Sequence, residues 1–277
     1  MKTTTKRIVA LCIACLFALA LTACNGNNQG AANKTPEQLL EDALQKNREI
    51  TSGKMGLGMD VELSILGQQM DMTIDMDVTY TAKKDMYMRM STNMLGQDQT
   101  VEMYLMMQDD NSAMAYMGNN GQWVKQLVDA SEMEGLLSEQ ATPSETLDNF
   151  VDIKDLKLAG EENLNGKPAQ KLTGKVSAAF LKEALASSGL DDLFGDEDFE
   201  DLNAPVTLWI SDGYIVRFDM DASDMMNQIY TALMQGEGFQ GELEVGMTYQ
   251  ITFSDFNTAV VEVPAEVQSA PDGDLGV

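Results

Sequence analysis

Methionine is the most unusual chemical resource of this 277-residue chain: 21 are present, and fourteen of them fall between Met55 and Met117. A thioether is a soft ligand, so the spacings Met70-Asp71-Met72 and Met86-Tyr87-Met88-Arg89-Met90 suit Cu(I). Residues i and i+2 of a strand stand about 6.8 Å apart on one face. Met70, Met72, Met86, Met88 and Met90 are therefore the set such a site would use. No histidine occurs, and the three cysteines lie at Cys12, Cys15 and Cys24, so no imidazole or thiolate stands nearby to complete it. Two other roles fit the same residues: a plain core, or a deformable lining for a lipid-like ligand. Burying a Met gains roughly 1.5–3 kcal/mol, while freezing its rotamers costs up to about 2 kcal/mol. The small net gain suits an adaptable apolar surface better than a rigid core. A sacrificial oxidation sink is a fourth role.

Carboxylates are the second resource. The densest run is Asp191-Asp192 with Asp196-Glu197-Asp198-Phe199-Glu200-Asp201. Calcium binds carboxylates, but the spaced Asp/Asn pattern with a central Gly of an EF-hand is not met. A solvated, mobile loop is the simpler reading of 191–201, and it would gate a cavity if it lay at the mouth. Across the chain 44 Asp and Glu face 18 Lys and Arg, a net charge of −26. That balance argues against nucleic acid and against adsorption to anionic membranes through a basic patch. It leaves open the alternative of a cell-envelope sensor or interaction module whose acidic surface binds a basic protein partner. Without histidine, Ser-His-Asp and Cys-His hydrolases are excluded. A Gly-x-Ser-x-Gly elbow, a P-loop and a dinucleotide fingerprint are absent too. The expectation is a non-catalytic, monomeric binding protein without cofactor or metal.

The elements that must position these residues are mostly strands. Thr35-Pro36-Glu37-Gln38 is a capping box that starts a helix running to about Ile50. After Gly53 the apolar period changes from 3.6 to 2. Met59, Val61, Leu63 and Ile65 alternate with polar residues, and a turn at Gly67-Gln68 leads into Met70, Met72, Ile74, Met76 and Val78. Met86, Met88 and Met90 continue the pattern, then Val101, Met103 and Leu105. Together, the residues from Met70 to Leu105 in these three runs are the expected cavity lining. Asn120-Gly121, Asn165-Gly166 and Asp212-Gly213 mark hairpin turns. Helices are expected over Asp129–Gln140, Thr142–Val151, Ser177–Ser188 and Ser223–Gln235. Tyr214, Val216, Phe218 and Met220 share one face of a strand, and Leu243 to Phe253 form the last one. The reading is one α+β domain over 35–265, followed by a disordered acidic tail over 266–277.

The N-terminus is an address rather than part of this domain. Lys2, Lys6 and Arg7 precede a short apolar stretch from Ile8 to Leu21, too short to span a bilayer in comfort. Leu21-Thr22-Ala23-Cys24 resembles the lipobox of bacterial lipoproteins. That resemblance implies a signal peptide over 1–23, cleavage before Cys24 and a diacylglycerol on its thiol. The protein would then be anchored at the extracytoplasmic face of the cell membrane. Residues 25–34 are polar and patternless, a tether with a reach of about 20 Å.

Three further stretches carry a wider likeness. Gly160-Glu161-Glu162-Asn163-Leu164-Asn165-Gly166-Lys167 is a mid-chain hairpin, and Leu208-Trp209-Ile210-Ser211-Asp212-Gly213-Tyr214-Ile215-Val216-Arg217 is an aromatic one. Ile251-Thr252-Phe253-Ser254-Asp255-Phe256-Asn257 with Val261-Glu262-Val263-Pro264 closes the domain. With the lipobox and the long meander, these resemble the LolA/LppX-like lipoproteins, and uncharacterised Gram-positive lipoproteins among them. The resemblance implies a strongly curved antiparallel half-barrel with helices packed on its concave face. It also implies a lipid or other amphiphile bound in an apolar cavity.

Overall fold

The computed structural model describes residues 34–109, 112–129, 153–177, 202–236 and 243–273. Helix α1 (Pro36–Asn47) opens the described chain. Thr35 Oγ1 accepts from the Gln38 N–H at 3.3 Å, and Gln38 Oε1 accepts from the Thr35 N–H at 3.0 Å. These bonds satisfy two of the helix's orphan donors and complete the capping box. Six strands follow: β1 (Gly53–Ile65), β2 (Gln68–Tyr80), β3 (Met86–Met94), β4 (Gln97–Asp109), β5 (Ser112–Asn119) and β6 (Gln122–Asp129). Beyond them come β7 (Lys154–Leu164), β8 (Lys167–Ser177), β9 (Asn203–Ser211) and β10 (Tyr214–Asp221). Helix α2 (Ser223–Gly236), β11 (Leu243–Ser254) and the one-turn α3 (Ala265–Gln268) complete the order. The signal sequence, Cys24, the tether over 25–33 and the acidic run 191–201 lie outside the described residues. So do the helical readings over 129–151 and 177–188, apart from Asp129 and Ser177, which end β6 and β8.

The eleven strands among the described residues form one open antiparallel sheet, ordered β6-β5-β4-β3-β2-β1-β11-β10-β9-β8-β7. The last strand thus closes against the first, Met55 opposite Phe253 and Val61 opposite Met247. Five hairpins turn on two residues, both at positive φ: Leu66-Gly67, Leu95-Gly96, Asn120-Gly121, Asn165-Gly166 and Asp212-Gly213. This turn matches the right-handed twist of its strands and favours Asn, Asp or Gly at its first position. Leucine there costs about 1–2 kcal/mol, because its Cβ crowds the following carbonyl. The first turn is one residue earlier than the expected Gly67-Gln68; Gln68 already belongs to β2.

One face of the sheet is apolar across its central strands. Leu172, Leu208, Phe218, Ile251, Leu57 and Met76 follow one another across β8, β9, β10, β11, β1 and β2. Helices α1 and α2 pack on this face, α1 against β10 and β7, α2 against β11 and β9. Buried Leu39, Leu40, Leu44, Met225, Met226 and Ile229 join the sheet in one core.

Strand β10 departs from simple alternation. A bulge between Ile215 and Arg217 puts Ile215 fully inside, whereas Val216 is only half-buried. The expectation that Tyr214, Val216, Phe218 and Met220 share a face is therefore corrected: an extra residue in one strand inverts the pleat on one side of it. Pairing of β10 with β11 spans only Arg217–Asp221, and an asparagine occupies each open end of that seam. Asn47 Oδ1 accepts from the Ile215 N–H at 3.0 Å, and its Nδ2 donates to the Ile215 carbonyl at 3.5 Å. Asn227 Oδ1 accepts from the Val245 N–H at 2.6 Å, and its Nδ2 donates to the Val245 carbonyl at 2.8 Å. Each side chain stands in for a missing strand and fastens one helix to the sheet.

Both sheet edges are protected. At β7, register shifts and exposed Lys154 and Lys157 discourage a further strand. At β6, the C-terminal segment runs parallel to the edge: the Lys125 N–H donates to the Pro271 carbonyl and the Gly273 N–H to the Lys125 carbonyl, both at 3.0 Å. Val267 and Ala270 are buried there. Over residues 265–273 this replaces the expected disordered tail with an ordered strap. Its sequence shows no period because a single turn of helix and one bridge are too short to display one.

Candidate functional site

The residues expected to line a cavity all project from β2, β3 and β4 onto the apolar face. Val78, Met88 and Met103 stand side by side on adjacent strands, as do Met76, Met90 and Val101. Met86 lies opposite Leu105, and Met72 opposite Met94. Their exposure divides them. Val78, Met88, Met103 and Leu105 are buried, Leu105 within a small cluster with Ala113, Ala115 and Val128. Met72, Ile74, Met76, Met86 and Val101 are half-buried, and Met70 and Met90 are 40% and 37% exposed. Exposure thus rises along the strands, from the end that carries Val78, Met88 and Met103 toward the Leu66-Gly67 and Leu95-Gly96 turns. Met55, Leu57, Met59, Val61 and Leu63 of β1 continue the surface and belong with it. The same two-residue alternation that marked β2 was their signal.

The five methionines proposed for Cu(I) do not converge. Met90 pairs with Met76, and Met72 lies four residues further along β2, roughly 13 Å at strand rise. Among the described residues, no group of three or more carboxylate, thiol or imidazole side chains is placed to hold a metal ion.

Tyr249 is the polar exception on the apolar face of β11. Its hydroxyl is buried, with no hydrogen-bond partner among the described residues. Burial, with Tyr230 nearby, pushes its pKa up to about 12, so it remains a neutral O–H donor at any physiological pH.

The opposite face is polar and contains a trough of about 550 Å³. Gly58, Asp60, Asp75, Thr207, Asp219, Asp221, Thr248 and Gln250 line it. None of the expected lining residues contributes, because alternation places them on the other side of the sheet. Glycine at position 58 leaves the floor open; a Cβ there would point toward Asp75 Oδ1 at 3.6 Å. Arg217 holds Asp219 by two charge-assisted bonds, Nε to Oδ1 at 2.7 Å and Nη2 to Oδ2 at 2.6 Å. The chain of charges continues along this face. The Arg217 guanidinium lies 4.9 Å from the Trp209 ring, Trp209 Nε1–H donates to Glu162 at 2.9 Å, and Lys171 reaches Glu162 at 3.3 Å. The Trp209 hydrogen bond, then Lys171, lowers the Glu162 pKa below the ordinary glutamate value.

This fold is similar to several solved structures. Lipoprotein LppX of Mycobacterium tuberculosis is 18% identical with a TM-score of 0.40, over 83% of this chain and 98% of that one. LprF from Mycobacterium bovis is 15% identical with a TM-score of 0.41, over 84% and 97%. A LolA superfamily protein from Nitrosomonas europaea is 10% identical with a TM-score of 0.22, over 84% and 97%. At these identities and scores no functional property passes from them to this chain. No curated protein matches it. A family model does match, from the capping threonine of α1 to the segment before β9. The chain belongs to the family of unknown function DUF6612, whose model covers residues 35–197.

Proposed function

We propose that the protein is a lipid-anchored, extracytoplasmic lipoprotein that holds a lipid or other amphiphile against its methionine-rich apolar face, without catalysing a reaction. The carrying observation is the uneven cover of that face. The described helices pack against β7 and β9–β11, whereas Met70, Met90 and Met94 remain 40%, 37% and 58% exposed on β2 and β3. Contiguous exposed apolar surface of this kind marks a binding surface, and unbranched thioethers adapt to acyl chains of varied shape. The lipobox-like Leu21-Thr22-Ala23-Cys24 supports the location. Cys24 would carry the diacylglycerol, and two acyl chains hold where one is marginal.

Native mass spectrometry of residues 25–277, followed by solvent extraction, tests this reading. The expected result is a co-purifying mass of lipid size that Met70→Asp and Met90→Asp abolish. Both side chains are open enough for a carboxylate to remain hydrated, so the fold should survive. An empty protein that also ignores added lipid would overturn it.

The acidic trough favours a second reading, in which Asp60, Asp75, Asp219 and Asp221 receive a basic segment of a protein partner. The two readings part on salt: association through exposed carboxylates weakens sharply as ionic strength rises, whereas retention of buried acyl chains does not.

A further inference from the structure

Two hairpin tips carry leucine where the turn favours asparagine. Leu66-Gly67 and Leu95-Gly96 have the same left-handed backbone as Asn120-Gly121, Asn165-Gly166 and Asp212-Gly213. At Asn120 the side chain also makes use of the position, accepting from the Thr100 N–H at 3.3 Å. Leucine has no such bond to make, and its Cβ is crowded in this conformation. Nor does packing compensate, since Leu66 and Leu95 are 68% and 67% exposed. A local rule broken twice, without local gain, points to a contact outside the isolated domain.

The two tips act as a pair. The Leu95 N–H donates to the Asp71 carbonyl at 3.5 Å, and Met94 lies opposite Met72, so the hairpins meet edge to edge at the same end of the sheet. Met70, Met90 and Met94 extend the apolar surface from the tips down the face of β2 and β3. These five are the majority of the eight large hydrophobic side chains exposed among the described residues.

We propose that this end of the sheet docks on a lipid bilayer, with Leu66 and Leu95 entering the acyl boundary and the methionine face opening toward it. Both turns run Leu-Gly-Gln, so the residues that follow the leucines at headgroup level are uncharged glutamines, Gln68 and Gln97. The Leu66 tip extends about four residues of strand, roughly 13 Å, beyond the Leu95 tip, so the two aliphatic prongs meet a plane inclined to the strands, and a fluid plane demands no matching shape. The sequence before Lys34 places such a plane within reach, with an apolar segment from Ile8 to Leu21 and Cys24 ten residues away. A short tether raises the effective concentration enough for a shallow insertion to be populated. With a net charge of −26, docking favours uncharged or zwitterionic lipid over anionic lipid. The docking stands on the tips; only its purpose, delivery or collection of an amphiphile, rests on the reading above.

The test uses the full chain in phosphatidylcholine nanodiscs, with isotope-labelled Leu, Val and Met methyl groups and a nitroxide near the end of a fraction of the acyl chains. The methyl signals of Leu66, Leu95 and Met94 should broaden, while Leu158 and Val260, comparably exposed at 52% and 71%, should not. Replacing both leucines (Leu66→Asn, Leu95→Asn) should abolish the broadening at Met94 with the melting temperature unchanged or higher, because asparagine suits the turn. Broadening that is absent, unselective or indifferent to the double substitution overturns the proposal. Tip signals that shift with protein concentration, whatever the nitroxide does, would make a second copy the occupant and overturn it as well. Lipid retention is measured separately: its loss with broadening intact removes the carrier reading alone, and the reverse removes only the docking.

Discussion

Glu162 shows how a single residue on the polar face couples to the strands around it. Its carboxylate accepts the Trp209 indole N–H and pairs with Lys171, and both interactions favour the charged form. A folded-state pKa below the unfolded value means that this contribution is present above the ordinary glutamate pKa. It is lost as pH falls through the depressed folded value. Trp209 emission, recorded in a Trp123→Phe background, should therefore change on acidification with a midpoint below that of a free glutamate. Glu162→Gln should flatten the titration; an unchanged curve would place the titrating group elsewhere. Gly174 on β8 works by size instead. A Cβ there would meet Ile153 Cγ2 at 2.5 Å and the Lys154 carbonyl at 2.9 Å. The backbone carbonyl has no room to yield, which accounts for a glycine inside a strand.

At the scale of elements, the helices are held to the sheet by more than apolar contact. Asn47 and Asn227 complete the hydrogen bonding of Ile215 and Val245 where β10 and β11 separate. Removing either amide leaves backbone groups unpaired, at a cost of about 1–3 kcal/mol for each buried group. Asn47→Ala and Asn227→Ala should each lower the denaturation midpoint, and amide exchange should accelerate at Ile215 and Val245 respectively. Equal exchange in variant and wild type would remove the strand-substitute role. The C-terminal strap makes a second element-scale case. Ending the chain after Pro264 exposes the β6 edge around Lys125 and uncovers what Val267 and Ala270 pack against. Unpaired edges recruit other edges, so sedimentation velocity should show concentration-dependent self-association that the full chain lacks.

Over the whole molecule, charge and hydrophobicity are sorted onto opposite faces of one sheet. The excess of 44 acidic over 18 basic residues makes the folded state repel itself. Among the described residues, ion pairs that salt would weaken include the open Lys54–Asp255 and Lys167–Asp212, whose side chains are 46–71% exposed; such pairs contribute little. Screening the repulsion should outweigh loosening the pairs. The melting temperature should therefore rise from low to moderate sodium chloride, and a fall would show that the ion pairs dominate. The same sorting assigns the two candidate sites to different physics. The methionine face would take apolar ligands regardless of salt, and the aspartate trough would take cations only at low ionic strength.

What the sequence determined by itself was the set of strands and which side chains share a face. A period of two is a local property: Met70 to Val78 and Met86 to Met90 announce their common face without reference to anything distant. The capping box at Thr35 and the Asn-Gly and Asp-Gly turns are legible for the same reason, since each is satisfied within a few residues. Only the tertiary structure decided how open each part of that face is. Leu105 and Met90 carry the same alternation, yet one is enclosed and the other 37% exposed, because cover depends on which neighbours the fold brings: Leu105 packs with Ala113, Ala115 and Val128 of β5 and β6. It also decided the bulge at Ile215, the asparagines that fill the β10–β11 seam and the strap along β6, each a partnership between residues distant in sequence. The leucines at positions 66 and 95 stand between the two: their oddity is written in the turn, but their pairing appears only when β2 and β3 lie side by side.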